Sequence, residues 1–509
     1  MIPFILGLMG MFYQFLKDAK NFYVLGLLFL MLGVAIVIYL NSPPTEPRER
    51  DYIYVGSYYA FAFWIGLAVI AVADILGRMF KNKKVLFIAT SIVGLSAPAI
   101  MLVEGWDDHD RSNRFFSVDS ATNSLDSCDP NGILFTGGDN DTFPLWYAQE
   151  TEDCHTDMRV LVLSYYNTDW YIDQTRQPMN QSKPFSYTLG AKDYQQGGPN
   201  DYLYYADLKI NSIDAKQYLD LLAKNHPGLR DGDHNMVPSK IITLDIDQKD
   251  VLAKGVIPKG MEPFMVKQMQ LKLLNNVLQK WDLAFLDLLV TTHWERPIYL
   301  NPTSLSQMNI DLKPYVVQEG NAYRVLPVKN PRADRDYLVN TEKSYDLMMN
   351  KFSYRGLDDS TVYYSNDYAI QVLNHRSNLN SLAEALIDKG ETEKASKVLL
   401  FSLNKMPDSA IPYDPSSPDT VSLLFKVGQK QKAVEVAKVV ATRANEVASF
   451  LISEGNFTSY ELRKNIFLVG AMQRNLYENG EVAIAKNYES EYTSLISRLQ
   501  NIEHSPSAN

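Results

Sequence analysis

Several clusters of residues in this chain have the types and spacing to do chemistry. Asp107-Asp108-His109-Asp110-Arg111 sets acids, an imidazole and a guanidinium side by side, with Arg114 a turn further on. Carboxylates and imidazole together can hold a divalent cation that bridges phosphates, and the arginines can grip phosphate directly. The same residues also suit a solvated, salt-bridged cap. Arg48-Glu49-Arg50-Asp51 is a second mixed cluster, open to phosphate binding or to anchoring at a bilayer surface. Gly137-Gly138-Asp139-Asn140-Asp141 puts two carboxylates and an amide on a tight turn, and Trp146, Tyr147, Asp169 and Trp170 follow closely. Aromatic faces stack on sugar rings, so a metal or sugar pocket is one reading. A turn fixed by Asx hydrogen bonds beside ordinary aromatic packing is the other. The stretch is not an EF-hand, because the later Gly and Glu are missing. Cys128 and Cys154 are the chain's two cysteines. They are the right number for one disulfide in an oxidising compartment, or they are unrelated thiols.

Other chemistries are disfavoured. The chain has no Walker loop, GxGxxG, GxSxG, HExxH or paired CxxC motif. A net charge of -10 argues against nucleic acid as a partner, since phosphate backbones reward surplus Lys and Arg.

The elements that must position these clusters fall into a membrane part and a soluble part. From Met1 to Val103 apolar residues dominate, and from Glu104 onward the composition is that of a globular protein. Phe22 to Leu40, Ile53 to Leu76 and Val85 to Val103 are each long enough to cross a bilayer, which needs roughly 20 apolar residues. Met1 to Phe15 is a shorter, fourth span; it lacks the basic start and cleavage site of a signal peptide. The loop Gly77 to Lys84 carries Arg78, Lys81, Lys83 and Lys84 and no acid, so it is expected in the cytoplasm, with everything after Val103 outside. Asp74 then lies near the cytoplasmic end of its span, at the interface.

In the soluble part the pattern predicts a β-α-β unit. Gly132 to Thr136 reads as a strand, Thr142 to Glu150 as a helix capped by Thr142 or Asp141, Arg159 to Ser164 as a second strand, and Thr168 to Gln174 as the start of another helix. Alternating strands and helices predict a parallel sheet, with ligands at the carboxyl ends of the strands. Asp139, Asn140 and Asp141 follow the first strand there, and Asn167 and Asp169 the second. Parallel neighbours begin at one sheet edge, so Cys128 and Cys154 are expected near each other. Ile241 to Ile246 reads as a strand, Gln268 to Thr291 as a helix and Pro297 to Leu300 as a strand. Further on, Leu-x3-Gly-x4-Ala recurs at Leu386/Gly390/Ala395, Leu424/Gly428/Ala433 and Leu476/Gly480/Ala485. Glycine closing one helix and alanine packing the next is the pattern of tetratricopeptide-like helix pairs or of ordinary helical hairpins. The predicted fold is therefore α-helical transmembrane segments over residues 1–104, an extracytoplasmic α/β domain over 105–345 and an all-α, tetratricopeptide-like region over 346–509.

Several stretches resemble one bacterial family of multi-pass proteins long described as a domain of unknown function. They are Pro47 to Tyr52 with Gly56-Ser57 and Trp64-Ile65-Gly66, Asp107 to Arg111 with Arg114, Gly138 to Thr142 with Pro144 to Tyr147, Thr168 to Asp173, and Arg296 to Tyr299. That family is similar to the type C glycosyltransferases, the superfamily of the protein O-mannosyltransferases. The resemblance implies a lipid-linked sugar donor, a bacterial inner-membrane location with a periplasmic C-terminal region, and helices that bind protein partners. It implies that Arg48, Arg50 and Asp107 to Arg114 meet a polyprenyl-phosphate, with a divalent cation as the only cofactor expected. In this superfamily the catalytic acid lies in the first outer loop. The chain resembles the C-terminal half of such proteins, so the expectation is either a split or truncated gene or a catalytic half carried on a separate, upstream-encoded chain. The competing expectation is a non-catalytic, membrane-anchored scaffold for envelope proteins.

Overall fold

The computed structural model describes residues 1–41, 50–79, 82–332 and 334–503. It forms two compact units, Met1–Arg111 and Ser112–Asn509. The first unit is helical: α1 (Ile2–Lys17), α2 (Ala19–Met31), α3 (Val34–Leu40), α4 (Val55–Met79) and α5 (Lys83–His109). The two units divide just after the end of α5. Among the described residues, three helical stretches are long and apolar enough to cross a membrane: Ala19–Leu40, Asp51–Met79 and Lys83–His109. Their outward apolar side chains, such as Leu27, Ile70, Ile92 and Leu95, stay exposed, which fits lipid rather than water as the solvent. The first stretch is broken at Leu32-Gly33, where the chain turns between α2 and α3.

α1 is too short to span by itself, about 24 Å at 1.5 Å per residue. Its small residues let it lie close against α4: a Cβ at Gly10 would collide with the Trp64 carbonyl, and one at Gly7 with the Phe61 ring. Trp64 Nε1 donates to Gln14 Oε1 at 2.7 Å, and Tyr13 OH to Asp74 at 2.6 Å. Asp74, read as interfacial, thus has a partner on α1. Gly77 faces Leu86 and Gly94 faces Val69. That register makes α4 and α5 an antiparallel hairpin, with the start of α4 and the end of α5 at one end.

The second unit opens with α6 (Phe116–Asp126) and then the predicted β-α-β unit: β1 (Ile133–Thr136), α7 (Asp139–Thr151) and β2 (Arg159–Val162). β1 lies between β2 and β3 (Ile298–Leu300) and is parallel to both. β4 (Val316–Glu319), β5 (Ala322–Val325) and β6 (Leu338–Val339) complete a mixed sheet of order β6-β4-β5-β3-β1-β2. β1 and β2 are buried at every position, as expected of parallel strands covered on both faces. Two smaller sheets are built mostly from the segment between β2 and β3, one of them completed by Ile310–Asp311 after β3, and a continuous apolar core runs from Ile133 through Tyr218, Met269 and Phe285 to Val328.

The helix expected from Gln268 to Thr291 is a correction. Gln268–Leu273 and Val277–Gln279 are strands, and only Lys280–Thr291 is helical. Gln268-Met-Gln-Leu-Lys-Leu273 alternates exposed and buried, the period-2 pattern of a half-buried strand.

The chain ends in helices paired as Asn366–Asp388 with Thr392–Lys405, Ser417–Lys426 with Lys430–Ser453, and Tyr460–Glu478 with Val482–Glu503. Each expected glycine is left-handed, at φ 76° (Gly390), 80° (Gly428) and 83° (Gly480). In each turn the following residue donates back to the repeat leucine, from Glu391 to Leu386 O, Gln429 to Leu424 O and Glu481 to Leu476 O. These are Schellman-type closures, which need φ > 0 and so favour glycine. Ala395, Ala433 and Ala485 are fully buried. Gly455 makes the same closure, Asn456 N to Leu451 O at 3.0 Å, but no alanine follows it at the repeat spacing, so the repeat pattern missed it.

Candidate functional site

The carboxyl edge of β3-β1-β2 collects the residues of greatest chemical interest. The chain leaves β1 toward β2 on one side and returns to β3 on the other, which makes the β1/β3 edge a switch point of the kind that binds ligands in parallel sheets. Gly137 follows β1 and has no room for a side chain, since a Cβ would strike Thr303. Thr303 lies on the short helix Pro302–Gln307, whose cap Asn301 donates its N–H to Phe135 O at 3.0 Å; Ser304 Oγ donates to the same carbonyl at 2.8 Å.

Gly138, in extended backbone, caps α7. The expected cap at Thr142 or Asp141 is corrected accordingly: Thr142 is buried, hydrogen bonded to Thr136 Oγ1 at 2.6 Å and to Gly138 O at 2.7 Å. Asp139, Asn140 and Asp141 therefore form the first turn of a helix rather than a free turn. Carboxylates are favoured at that position by the helix dipole alone. Asp139 and Asn140 are exposed and Asp141 is half-buried.

Beside this turn runs a row of aromatic rings. Phe143 stacks on Trp146 at 5.6 Å between centroids, Trp146 meets Tyr165 at 6.4 Å, and Tyr165 meets Trp170 at 5.9 Å. Trp146 and Trp170 are thus joined through Tyr165, a ring that reading by motif did not single out. Phe143, Tyr147 and Trp170 are 45%, 46% and 55% exposed. Asp169 sits at the end of the row. Its carboxylate accepts the N–H of Gln196 at 3.0 Å and of Trp170 at 2.7 Å, and these donors hold its pKa below the usual range.

Sequence reasoning also missed Lys280. It is the first residue of its helix, is 1% exposed and is ion paired with Asp201. It contributes to the positive field at Asp169. Asp201 also accepts the Gly197 N–H. A buried lysine between Val277-Leu278 and Leu283-Ala284-Phe285 was the available signal, but it was hidden inside a segment read as one long helix.

In the membrane unit, Arg48 lies outside the described residues. Arg50 and Asp51 precede α4; Asp107, Asp108 and His109 form the exposed end of α5, and Asp110 and Arg111 follow it, also exposed. The α4–α5 hairpin brings these two groups to one end. His109 Nδ1 contacts Gly105 O at 2.7 Å, and Arg111 donates to Asp108 O at 2.7 Å. Arg114 belongs to the second unit, where it lies over the Tyr368 ring at 4.8 Å and donates to Tyr363 O at 3.4 Å.

Of the two readings of Cys128 and Cys154, the disulfide is not formed; both are free thiols. Cys128 is buried and donates to Ser124 O at 3.5 Å. Burial pushes its thiol well up. Next to it, Lys343 bridges Asp129 at 2.7 Å and Glu319 at 2.6 Å, and Arg324 binds Asp129 at 2.7 Å. Charges so paired are a structural network, costly to break and not free for a ligand. Cys154 faces elsewhere: its Sγ, an Asp126 oxygen and a His155 ring nitrogen lie within 4.8 Å of one another.

Residues 117–343 match the family described as TMEM260-associated domain 2, a domain of unknown function. The match spans α6 through the sheet and takes in both the aromatic row and the Asp126/Cys154/His155 group. No curated protein and no solved structure matches the chain.

Proposed function

We propose that this chain is the C-terminal portion of a membrane-embedded, type C glycosyltransferase-like protein, acting in cell-envelope or protein glycosylation with a lipid-linked sugar. In this reading the three long spans cross the bilayer, and α1, too short to cross alone, enters it packed against α4. The α/β and helical regions stand in the periplasm of a bacterial inner-membrane protein. Arg48, Arg50 and Asp107 to Arg111 take the phosphate of a polyprenyl-phosphate sugar, with a divalent cation where the acids require one. The observation that carries the reading is the exposed aromatic row from Phe143 to Trp170, flanked by Asp139, Asp141 and Asp169. Flat rings edged by carboxylates are what sugar rings and their hydroxyls bind.

The alternative is a non-catalytic scaffold whose tetratricopeptide-like helices hold envelope proteins. It is favoured by exposed Phe450 (61%), Tyr460 (71%), Phe467 (59%) and Tyr477 (56%) on those helices. One complementation series separates the two. A deletion strain is supplied with the full chain carrying Phe143→Ala with Trp170→Ala, or Phe467→Ala with Tyr477→Ala, and envelope glycans are read by mass spectrometry. Loss of glycans in the first variant alone, at unchanged protein level, supports the glycosylation reading. Intact glycans with lost protein partners in the second variant support the scaffold.

A further inference from the structure

The sheet's amino edge, opposite the aromatic row, carries a second group of chemically able side chains. Asp126 is the last residue of α6, and Cys154 and His155 lie in the turn between α7 and β2. His155 Nε2 is 2.7 Å from Asp126 Oδ1, and the thiol completes a triangle whose donor atoms are all within 4.8 Å. About a third of each of the Asp126 and His155 side chains is exposed, so solvent reaches the group.

The turn is held rigidly in this shape. Asp153 and His155 both have left-handed backbone, at φ 52° and 49°, which non-glycine residues adopt only where the surroundings impose it. Cys154 N donates to Ala148 O at 3.0 Å, and buried Gln149 donates to His155 O at 2.9 Å. An ordinary His–Asp pair accounts for two of these residues and leaves the position of the thiol unexplained.

We propose that Asp126, Cys154 and His155 form a divalent metal site of the Zn2+ type, with three protein donors and a fourth position open to water. Sulfur, imidazole and carboxylate are the donor set that borderline Zn2+ prefers. Zn–N and Zn–O bonds of about 2.1 Å at a tetrahedral angle separate two donors by about 3.4 Å, and a Zn–S bond of about 2.3 Å gives about 3.6 Å. The triangle reaches that shape by small rotations, with His155 and Asp126 moving slightly apart and the thiol closing in. On binding, Cys154 loses its proton to solvent, and the thiolate and Asp126 carboxylate together neutralise the 2+ ion. The metal would strap the end of α6 to the α7–β2 turn. This site is independent of the glycosylation reading, since it shares no residue with the aromatic row.

The test uses the full chain in detergent with Co2+ as the probe. The expected result is one equivalent of Co2+ bound with a thiolate-to-metal charge-transfer band, displaced by Zn2+, and a rise in Tm with Zn2+. Cys154→Ser should abolish the band while Cys128→Ser keeps it. Asp126→Asn and His155→Ala should weaken Co2+ by more than the roughly 10–100-fold typical of losing an outer-shell partner. Asp126→Asn is nearly isosteric, so it keeps the comparison valid if His155→Ala fails to fold. No band at stoichiometric Co2+, a band that depends on Cys128, or affinity unchanged in both Asp126→Asn and His155→Ala would each overturn the proposal; the last would mean an exposed thiol only.

Discussion

Asp282 gives the sharpest quantitative test of how the α/β domain is held together. It lies fully buried in the first turn of the helix Lys280–Thr291, two residues from Lys280. Its carboxylate accepts three N–H donors: Gln279 N at 3.0 Å, Asn309 N at 2.9 Å and Asn309 Nδ2 at 2.8 Å. Burial opposes the charge and the three donors favour it. Burial wins, and the carboxyl is pushed up from 3.8 to about 6. The folded protein therefore holds this proton more tightly than the unfolded chain does. The sign follows from linkage: between about pH 4 and 6 the native state binds more protons, so stability falls as pH rises through that window and is flat above it. The gap of about two pH units, at about 1.4 kcal/mol each, makes the loss about 3 kcal/mol. Asp282→Asn removes this titration, and the difference between wild type and variant cancels the other groups. Urea unfolding of the full chain in detergent, followed by tryptophan emission from pH 4 to 8, should show the wild-type advantage shrinking by about 3 kcal/mol up to pH 6 and constant beyond. A difference that is flat or grows with pH would refute the reasoning, because it would mean that the three donors outweigh burial.

Arg376 is 4% exposed and binds Asp414 at 2.6 Å together with the carbonyls of Pro412, Met406 and Ile411. Arg376→Met should cost about 3–5 kcal/mol by leaving Asp414 and three carbonyls without it, and adding Asp414→Leu should recover much of that; denaturant midpoints decide. Gly10→Leu should cost about 1–3 kcal/mol by forcing α1 off the Trp64 carbonyl, read as a lower aggregation temperature of the full chain in detergent. No change in that temperature would mean that α1 and α4 are not in close contact.

What could be read from sequence was what local rules dictate. The apolar runs of the membrane unit became helices because a run of that length has no other way to satisfy its backbone in lipid. β1, α7 and β2 were legible because short apolar runs flank a polar turn. The three glycine closures were legible because one backbone conformation demands one residue. The misses arose where distance in sequence hides proximity in space. Gln268 to Thr291 holds two strands and a helix, yet its apolar residues also satisfy a helical reading, and only pairing with Ile241–Asp245 decides. Lys280 gained meaning only once Asp201 was beside it. Asp126 lies far in sequence from Cys154 and His155, and no motif joins them. The cysteines were expected near each other, with a disulfide one of two open readings, because parallel strands start at one edge, which is true of the backbone here. Side-chain direction was the missing information: Cys128 turns into the core and Cys154 toward Asp126.

The aromatic row shows how to separate what folding needs from what it does not. β2 is the sheet's edge strand, and an open edge invites unwanted pairing. Trp146 reaches that edge, with its Nε1 3.5 Å from Val160 O, and is half-buried. Tyr171 and Tyr166 are buried in the core. These rings have structural reasons to be where they are. Phe143 and Trp170 do not, for each leaves about half its surface in contact with water while adjoining Trp146 or Tyr171; Tyr147 instead donates its hydroxyl to Glu152 at 3.1 Å. Scattered single apolar residues on a surface need no explanation, but neighbouring aromatic rings at the carboxyl edge of parallel strands do. Folding alone would tolerate polar residues at Phe143 and Trp170, so substitutions there should spare stability and affect only what the surface binds.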